Sequence, residues 1–378
     1  NRASALVGLS YAVSPSLAHA TVMTFGFMPL FFSGFLFTAA PKWLGARPLE
    51  ARQLRAPLVL QTVGWGLWLL GSHVQVMLAV LGLAGAVVGL GWMILLFWRL
   101  VAVSSAEDRL HAKVIGMGGG VGWISLVGAC VALLIDAPLV GRACVLTGLW
   151  GFVVVTYVTV AHRMIPFFTS SAVPMVAVWR PFWVLWVLLS AAAMEAVAVW
   201  VDGSGWATGD AGRAWMGVRG LLELLVGGLV LWLAVAWGLV QSLKIRLLAM
   251  LHIGFVWLGL AFVLGGVSQL LGLAFGAPVL GLGALHALSM GCLGSLMLAM
   301  VTRVSCGHSG RALVADKLVW GLFWALQLAT LARIVGAVPG AQGGWILAAA
   351  LLWAAVMAVW GLRYGSWYGR LRVDGKPG

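Results

Sequence analysis

The chain has 378 residues, of which 62% are hydrophobic and only 9% charged. A soluble domain carries roughly 25% charged residues, so this composition excludes a water-soluble globule. A net charge of +13 in such a chain marks membrane topology and not a nucleic-acid partner.

Apolar runs of spanning length recur from end to end and predict eleven helices, over about 14–40, 56–73, 76–98, 112–135, 142–162, 179–200, 216–240, 246–272, 279–302, 318–338 and 344–364. The fold class is therefore all-α, a polytopic transmembrane bundle forming one domain over residues 1–378. The 51 glycines suit close helix contact in lipid, and tryptophans at span ends, such as Trp43, Trp179, Trp200 and Trp345, suit interfacial anchoring. Four cysteines (Cys130, Cys144, Cys292, Cys306) are scattered without a CxxC pair. Those inside spans read as small apolar fillers.

In chain order, the first span carries His19 and Met23 in "HATVM", four residues apart and so on one helical face. The second ends near His73. "GMGGGVG" (116–122) lies inside the fourth span, where close packing is a better reading than phosphate binding. The fifth closes on His162, just ahead of a kink predicted at Pro166. The sixth holds Glu195 and the seventh Glu223. Glu223 stands four residues from Arg219, the spacing of a helical ion pair. Intramembrane acids are equally candidates for a proton path, and this holds for both Glu195 and Glu223. The eighth span places His252 about two turns in. In the ninth, His286, Met290, Leu293 and Met297 form one stripe, with Gly291, Cys292, Gly294 and Ser295 leaving room beside it for something flat and bulky. Arg303, His308 and Arg311 follow in a Gly/Ser-rich loop.

The charges test the span count. Of the 23 Lys and Arg, eighteen fall in loops on one side, while Arg2, Arg142, Arg213, Arg219 and Arg333 fall on the other. The positive-inside rule then puts the C-terminus in the cytoplasm and the start of the first span outside. A further helix before residue 1 would place both ends inside, and the abrupt start at Asn1 leads us to expect one.

A polar side chain in hydrocarbon needs a partner. His252 and His286 need explaining most. One answer is a hydrogen bond to a neighbouring helix. The other is ligation of a metal or haem iron, because neutral imidazole is a common ligand and bundles hold cofactors between facing helices. Each is about two turns deep, or ~10 Å, from opposite faces, heights that a haem standing on edge reaches; two haems, one near each face, fit as well. His19 is the next candidate and His73 a weaker one. His308, His162, Met23 and Met290 form a second tier. Arg333 is placed to pair with an acid, meet haem propionates or snorkel, and Arg219 and Arg303 share the propionate-or-structural reading.

Four blocks carry a family resemblance: "HATVMTFGFMPLFFSGFLFTAAPKWLG" (19–45), "HRMIPFFTSSA" (162–172), "LHIGFVWLGLAF" (251–262) and "HALSMGCLGSLMLAMVTRVSCGHSGR" (286–311). Together, and in this order, they resemble the NnrS family. The resemblance implies an inner-membrane protein of about twelve helices that carries haem, of the b type, with copper as a further metal. It implies a role in nitric oxide metabolism, nitrosative stress or denitrification, with family histidines falling on His19, His252, His286 and His308. Thr21 stands where the family's first block often reads H-x-H, and this weakens any copper site that depends on the second histidine.

Three functions follow. One is a haem protein acting on nitric oxide, as a reductase fed by a separate electron donor. The second is a non-enzymatic binder or sensor that protects cellular iron. The third is a transporter, against which stand few polar residues in the spans and no inverted repeat. The expected partners are nitric oxide and the lipid bilayer, with no nucleic acid.

Overall fold

The computed structural model describes residue 8 and residues 10–206, 208–276, 279–341 and 343–375. Arg2 and Lys376, counted among the charges above, lie outside the described residues. Among the described residues every regular element is helical. The long helices are α1 (Pro15–Leu44), α2 (Ala51–Val74), α3 (Val76–Ala102), α4 (Leu110–Leu134), α5 (Pro138–Ala172), α6 (Phe182–Gly203), α7 (Gly209–Ala236), α8 (Arg246–Phe275), α9 (Gly283–His308), α10 (Lys317–Val335) and α11 (Gly344–Gly365). A single turn, Leu239–Ser242, joins α7 to α8. Ten of these helices are long and apolar enough to cross a membrane, all but α2. Gln61, Thr62, Ser72 and His73 dilute the hydropathy of α2, although its 24 residues are long enough. The protein is the all-α, multi-pass membrane bundle that the sequence predicts.

Two boundaries differ from expectation in ways that move functional residues. Helix α5 runs on to Ala172 with Pro166 inside it; membrane helices carry such prolines where neighbouring groups satisfy the freed backbone. Helix α9 begins only at Gly283, after Gly276 and Gly281 have taken the left-handed conformation (φ 70° and 45°) that breaks the α8–α9 connection. His286 therefore sits in the first turn of α9, not two turns deep.

Backbone packing groups residues 1–161 with 185–206, and residues 162–184 with 207–378. In the first unit α2 and α3 touch backbone to backbone. A Cβ on Gly82 would meet the Trp68 nitrogen at 2.5 Å, and one on Gly71 would run into the Ala79 backbone. In the second unit α7 and α8 do the same: a Cβ on Gly227 would lie 2.7 Å from Val263 Cγ2 and 2.9 Å from the Gly259 carbonyl. Small residues permit this approach, which lets dispersion and backbone contact hold helices together in lipid.

Three helices contain a π-helical segment: Val22–Phe27 in α1, Leu149–Val154 in α5 and Ala287–Gly294 in α9. These are the first, fifth and ninth long helices, a spacing of four. A π segment inside an α-helix widens it by one residue per turn and is frequent at functional sites.

Candidate metal and cofactor site

His19 lies in the α-helical turn ahead of the α1 π segment and is exposed; Met23, inside that segment, is half-buried. Beside them Gly26 makes room for the Trp65 indole, whose Cδ2 would be 2.9 Å from an added Cβ. The Trp65 N–H donates to Gln61 Oε1 at 2.7 Å, and Gln61 Nε2 donates to the Ala86 carbonyl at 3.1 Å. Gln61 is 1% exposed, so these bonds spare a buried amide its desolvation cost.

Helix α9 repeats this plan. His286 is half-covered, and its Nδ1 lies 2.8 Å from the Leu282 carbonyl. A carbonyl only accepts, so Nδ1 carries a proton. Met290 is half-buried in the π segment that follows. The glycines expected to leave space for a flat group do so, but the protein's own indoles take it. A Cβ on Gly291 would stand 2.6 Å from Trp257 Cδ2, and one on Gly294 3.0 Å from Trp353. The Trp257 N–H donates to Gln327 Oε1 at 2.6 Å, and Gln327 Nε2 donates to Ser295 Oγ at 3.0 Å. The room read from those glycines is thus a packing surface for tryptophan, because a glycine-lined groove suits an indole as well as any other flat ring.

His252 is fully buried in α8, and its Nε2 lies 2.9 Å from Thr169 Oγ1. The Thr169 hydroxyl already donates to the Ile165 carbonyl, so it accepts from His252, and Nε2 carries the proton. Nδ1 keeps its lone pair and meets no hydrogen-bond partner. That is the donor chemistry of a ligand, yet the ring is enclosed on all sides, and a macrocycle would reach it only by displacing packed side chains.

The other candidates are tied to nearby structure. His73 Nδ1 meets the Ser10 carbonyl at 2.9 Å, and its ring lies against Tyr11 with centroids 4.2 Å apart. His162 is fully buried, with Nε2 3.1 Å from the Pro181 carbonyl and the ring packed near Phe182 and Trp237. His308 is exposed at the last residue of α9, so it ends a helix instead of lying in a loop. Glu223 is buried, and its Oε1 takes the Arg219 Nε–H at 2.8 Å, the ion pair that the spacing predicts. Glu195 is equally buried, in α6. Arg303 lies over the Phe168 ring, 4.3 Å from its centroid. Arg333 is half-exposed in the last turn of α10.

Of the expected site residues, then, the structure joins Arg219 to Glu223, while His252 and His286 go to Thr169 and Leu282. Among the described residues no three His, Cys, Asp or Glu side chains converge to hold a metal ion. A copper site of that size does not fit; haem, which needs one or two axial side chains, is not subject to that limit. Thr169, Gln61 and Gln327 are the residues that sequence reasoning passed over, and Ser295, read there as leaving room, accepts from Gln327. Their signal was available: a polar side chain inside an apolar run needs a partner, and the motif H-A-x-x-M occurs twice.

A family model described as NnrS protein matches residues 2–372. No curated protein and no solved structure matches the chain.

Proposed function

Because the chain belongs to the NnrS family, we propose that it is a haem-binding protein of the bacterial inner membrane that acts on nitric oxide, with its C-terminus in the cytoplasm on the side where Lys and Arg gather. The observation that carries this reading is His286. Its Nδ1–H is fixed by the Leu282 carbonyl, so Nε2 is the nitrogen that would ligate iron. Iron-bound histidines are held in this way, by a second partner on the far nitrogen. The ring is half-covered and stands one residue ahead of a π segment. Haem, when bound, supplies an iron that takes nitric oxide and passes electrons. The chain's own part is to orient the imidazole through the Leu282 carbonyl, to set the apolar Met290 four residues on along the same helix, and to admit a small apolar gas through lipid. His19, at the same position of the H-A-x-x-M motif in α1, is the second ligand candidate, and His252 the third.

The test is a visible spectrum of the purified protein, oxidised and reduced, with an iron count. Wild-type protein is expected to show a haem spectrum. His286→Ala should lose most of it while staying monodisperse, and His286→Ala with an unchanged spectrum and iron count would overturn the assignment. Colourless wild-type protein would sink haem binding altogether.

One observation favours a second reading, a non-enzymatic binder. Reducing two nitric oxide molecules to nitrous oxide and water consumes two electrons and two protons, and buried acids are the usual proton carriers. Glu223 is instead engaged by Arg219, which suits a structural pair. Glu195→Gln and Glu223→Gln decide between them: nitric oxide consumption in the presence of a reductant should slow in a reductase, whereas the haem–nitric oxide spectrum of a binder should not change.

A further inference from the structure

Within the second unit, α5, α8 and α9 leave a cavity of about 200 Å³ at their Lys- and Arg-rich ends. Phe168 and Ser171 come from α5, Leu248 and Leu251 from α8, and Met300 and Arg303 from α9. Apart from Ser171 and Arg303, every lining side chain is apolar. Arg303 is half-covered. Its guanidinium lies on the Phe168 ring, and among the described residues no carboxylate pairs with it. Asp316, the nearby acid in sequence, is taken by Arg363. Lys244 and Arg246 flank the lining residue Ile245 in sequence, and the Arg246 guanidinium donates to the Ala315 carbonyl at 3.3 Å. A partly desolvated guanidinium without an anion is costly, and its planar donors match a phosphate.

We propose that this cavity seats an acidic phospholipid. The phosphate lies on Arg303, and the first methylenes of a chain run along Leu248, Leu251 and Met300. Ser171 donates its own proton to the Phe167 carbonyl at 2.7 Å, so towards the ligand it acts as an acceptor. That suits a headgroup bearing hydroxyls, as in phosphatidylglycerol. The apolar walls are what separate a lipid from a free anion: they gain nothing from a small phosphate and bury an alkyl chain favourably.

Native mass spectrometry of the full chain in detergent tests this with three probes: phosphatidylglycerol, phosphatidylcholine and glycerol phosphate. One phosphatidylglycerol adduct is expected to survive, and Arg303→Gln should weaken it about tenfold, the loss of one charge-assisted contact. Arg303→Lys should keep most of it. Ala299→Leu, which fills the cavity from α9 without touching the charge, should lose it too and decides the matter if Arg303→Gln does not fold. Equal retention of phosphatidylcholine, an unchanged adduct in both Arg303→Gln and Ala299→Leu, or equally tight binding of glycerol phosphate would overturn the proposal, the last by assigning the site to a free anion.

Discussion

Helices α1–α3 of the first unit and α9–α11 of the second are built on one plan. Each opens with H-A-x-x-M, at His19–Met23 and His286–Met290, on a helix that turns π-helical at Val22 or Ala287. Each next helix begins at an acidic N-cap residue: the Glu50 N–H donates to Gln53 Oε1 at 3.0 Å, and Asp316 accepts from the Val319 N–H at 3.0 Å. Each of those helices buries a glutamine ten residues after its first residue, Gln61 in α2 and Gln327 in α10, and each glutamine accepts an indole N–H. The difference lies in where the indole comes from. Trp65 is on the same helix as Gln61, so that network joins α2 to α3 alone. Trp257 comes from α8 and Ser295 from α9, so Gln327 ties three helices around the stripe that bears His286. Correspondingly, His19 is exposed while His286 is half-covered and fixed by Leu282. The same backbone plan thus yields one exposed histidine and one half-covered, and the Leu282 carbonyl orients the half-covered ring as a second partner orients a ligating imidazole.

The largest expected effect tests how each unit is packed. Gly71→Ala pushes a Cβ into the Ala79 backbone, which cannot move aside without separating α2 from α3, whereas Gly227→Ala first meets the Val263 side chain at 2.7 Å. Overpacking costs about 1–3 kcal/mol and more where backbone must shift. Gly71→Ala should therefore lower the thermal midpoint in detergent further than Gly227→Ala, and the reverse order would show that the α7–α8 pair is the stiffer one. The next effect sharpens the comparison itself. Gln327→Leu strands the Trp257 N–H, a loss of about 1–3 kcal/mol, and it loosens three helices. Gln61→Leu strands the Trp65 N–H and loosens two. The midpoint should drop more for Gln327→Leu, and only that variant should reduce haem retention. Equal losses of haem would mean that the two networks support the site alike.

The long helices and the Arg219–Glu223 pair were legible because they depend on apolar run length and on spacing along one helix. His252 was legible as a buried imidazole needing a partner, but Thr169 as that partner was not, because it is 83 residues distant and only tertiary packing brings it near. The depth of His286 was misread because the pattern of apolar residues runs through Gly281, and nothing in hydropathy reveals a left-handed φ. The glycines beside His286 were read as space. Whether such a groove holds a cofactor or an indole depends on which helix packs there, and Trp257 lies on another helix altogether. The repeated plan was visible in part as two H-A-x-x-M motifs, but its register became clear only when Gln61 and Gln327 fell at the same position of their helices.

The smallest expected effect concerns the two acidic caps. Burial pushes the Asp316 carboxyl up, and hydrogen bonds from the Val319 N–H and the Arg363 guanidinium more than reverse this, so it ionises below its ordinary range. A carboxyl whose pKa is lower folded than unfolded adds stability that is complete above the ordinary aspartate value of ~4 and is lost as pH falls through the depressed folded value. Asp316→Ala should therefore cost about 1 kcal/mol at neutral pH, the usual loss of an N-cap, and the gap from wild type should close as the solution is made more acidic than about pH 4. The matching variant at the other cap, Glu50→Ala, removes a carboxylate paired with the exposed Arg52, and exposed pairs contribute little. Thermal midpoints of both variants across an acid series separate the two cases. A gap for Asp316→Ala that stays constant down to low pH would mean that the neutral side chain caps α10 as well as the charged one does, and the α10 cap would then owe nothing to Arg363.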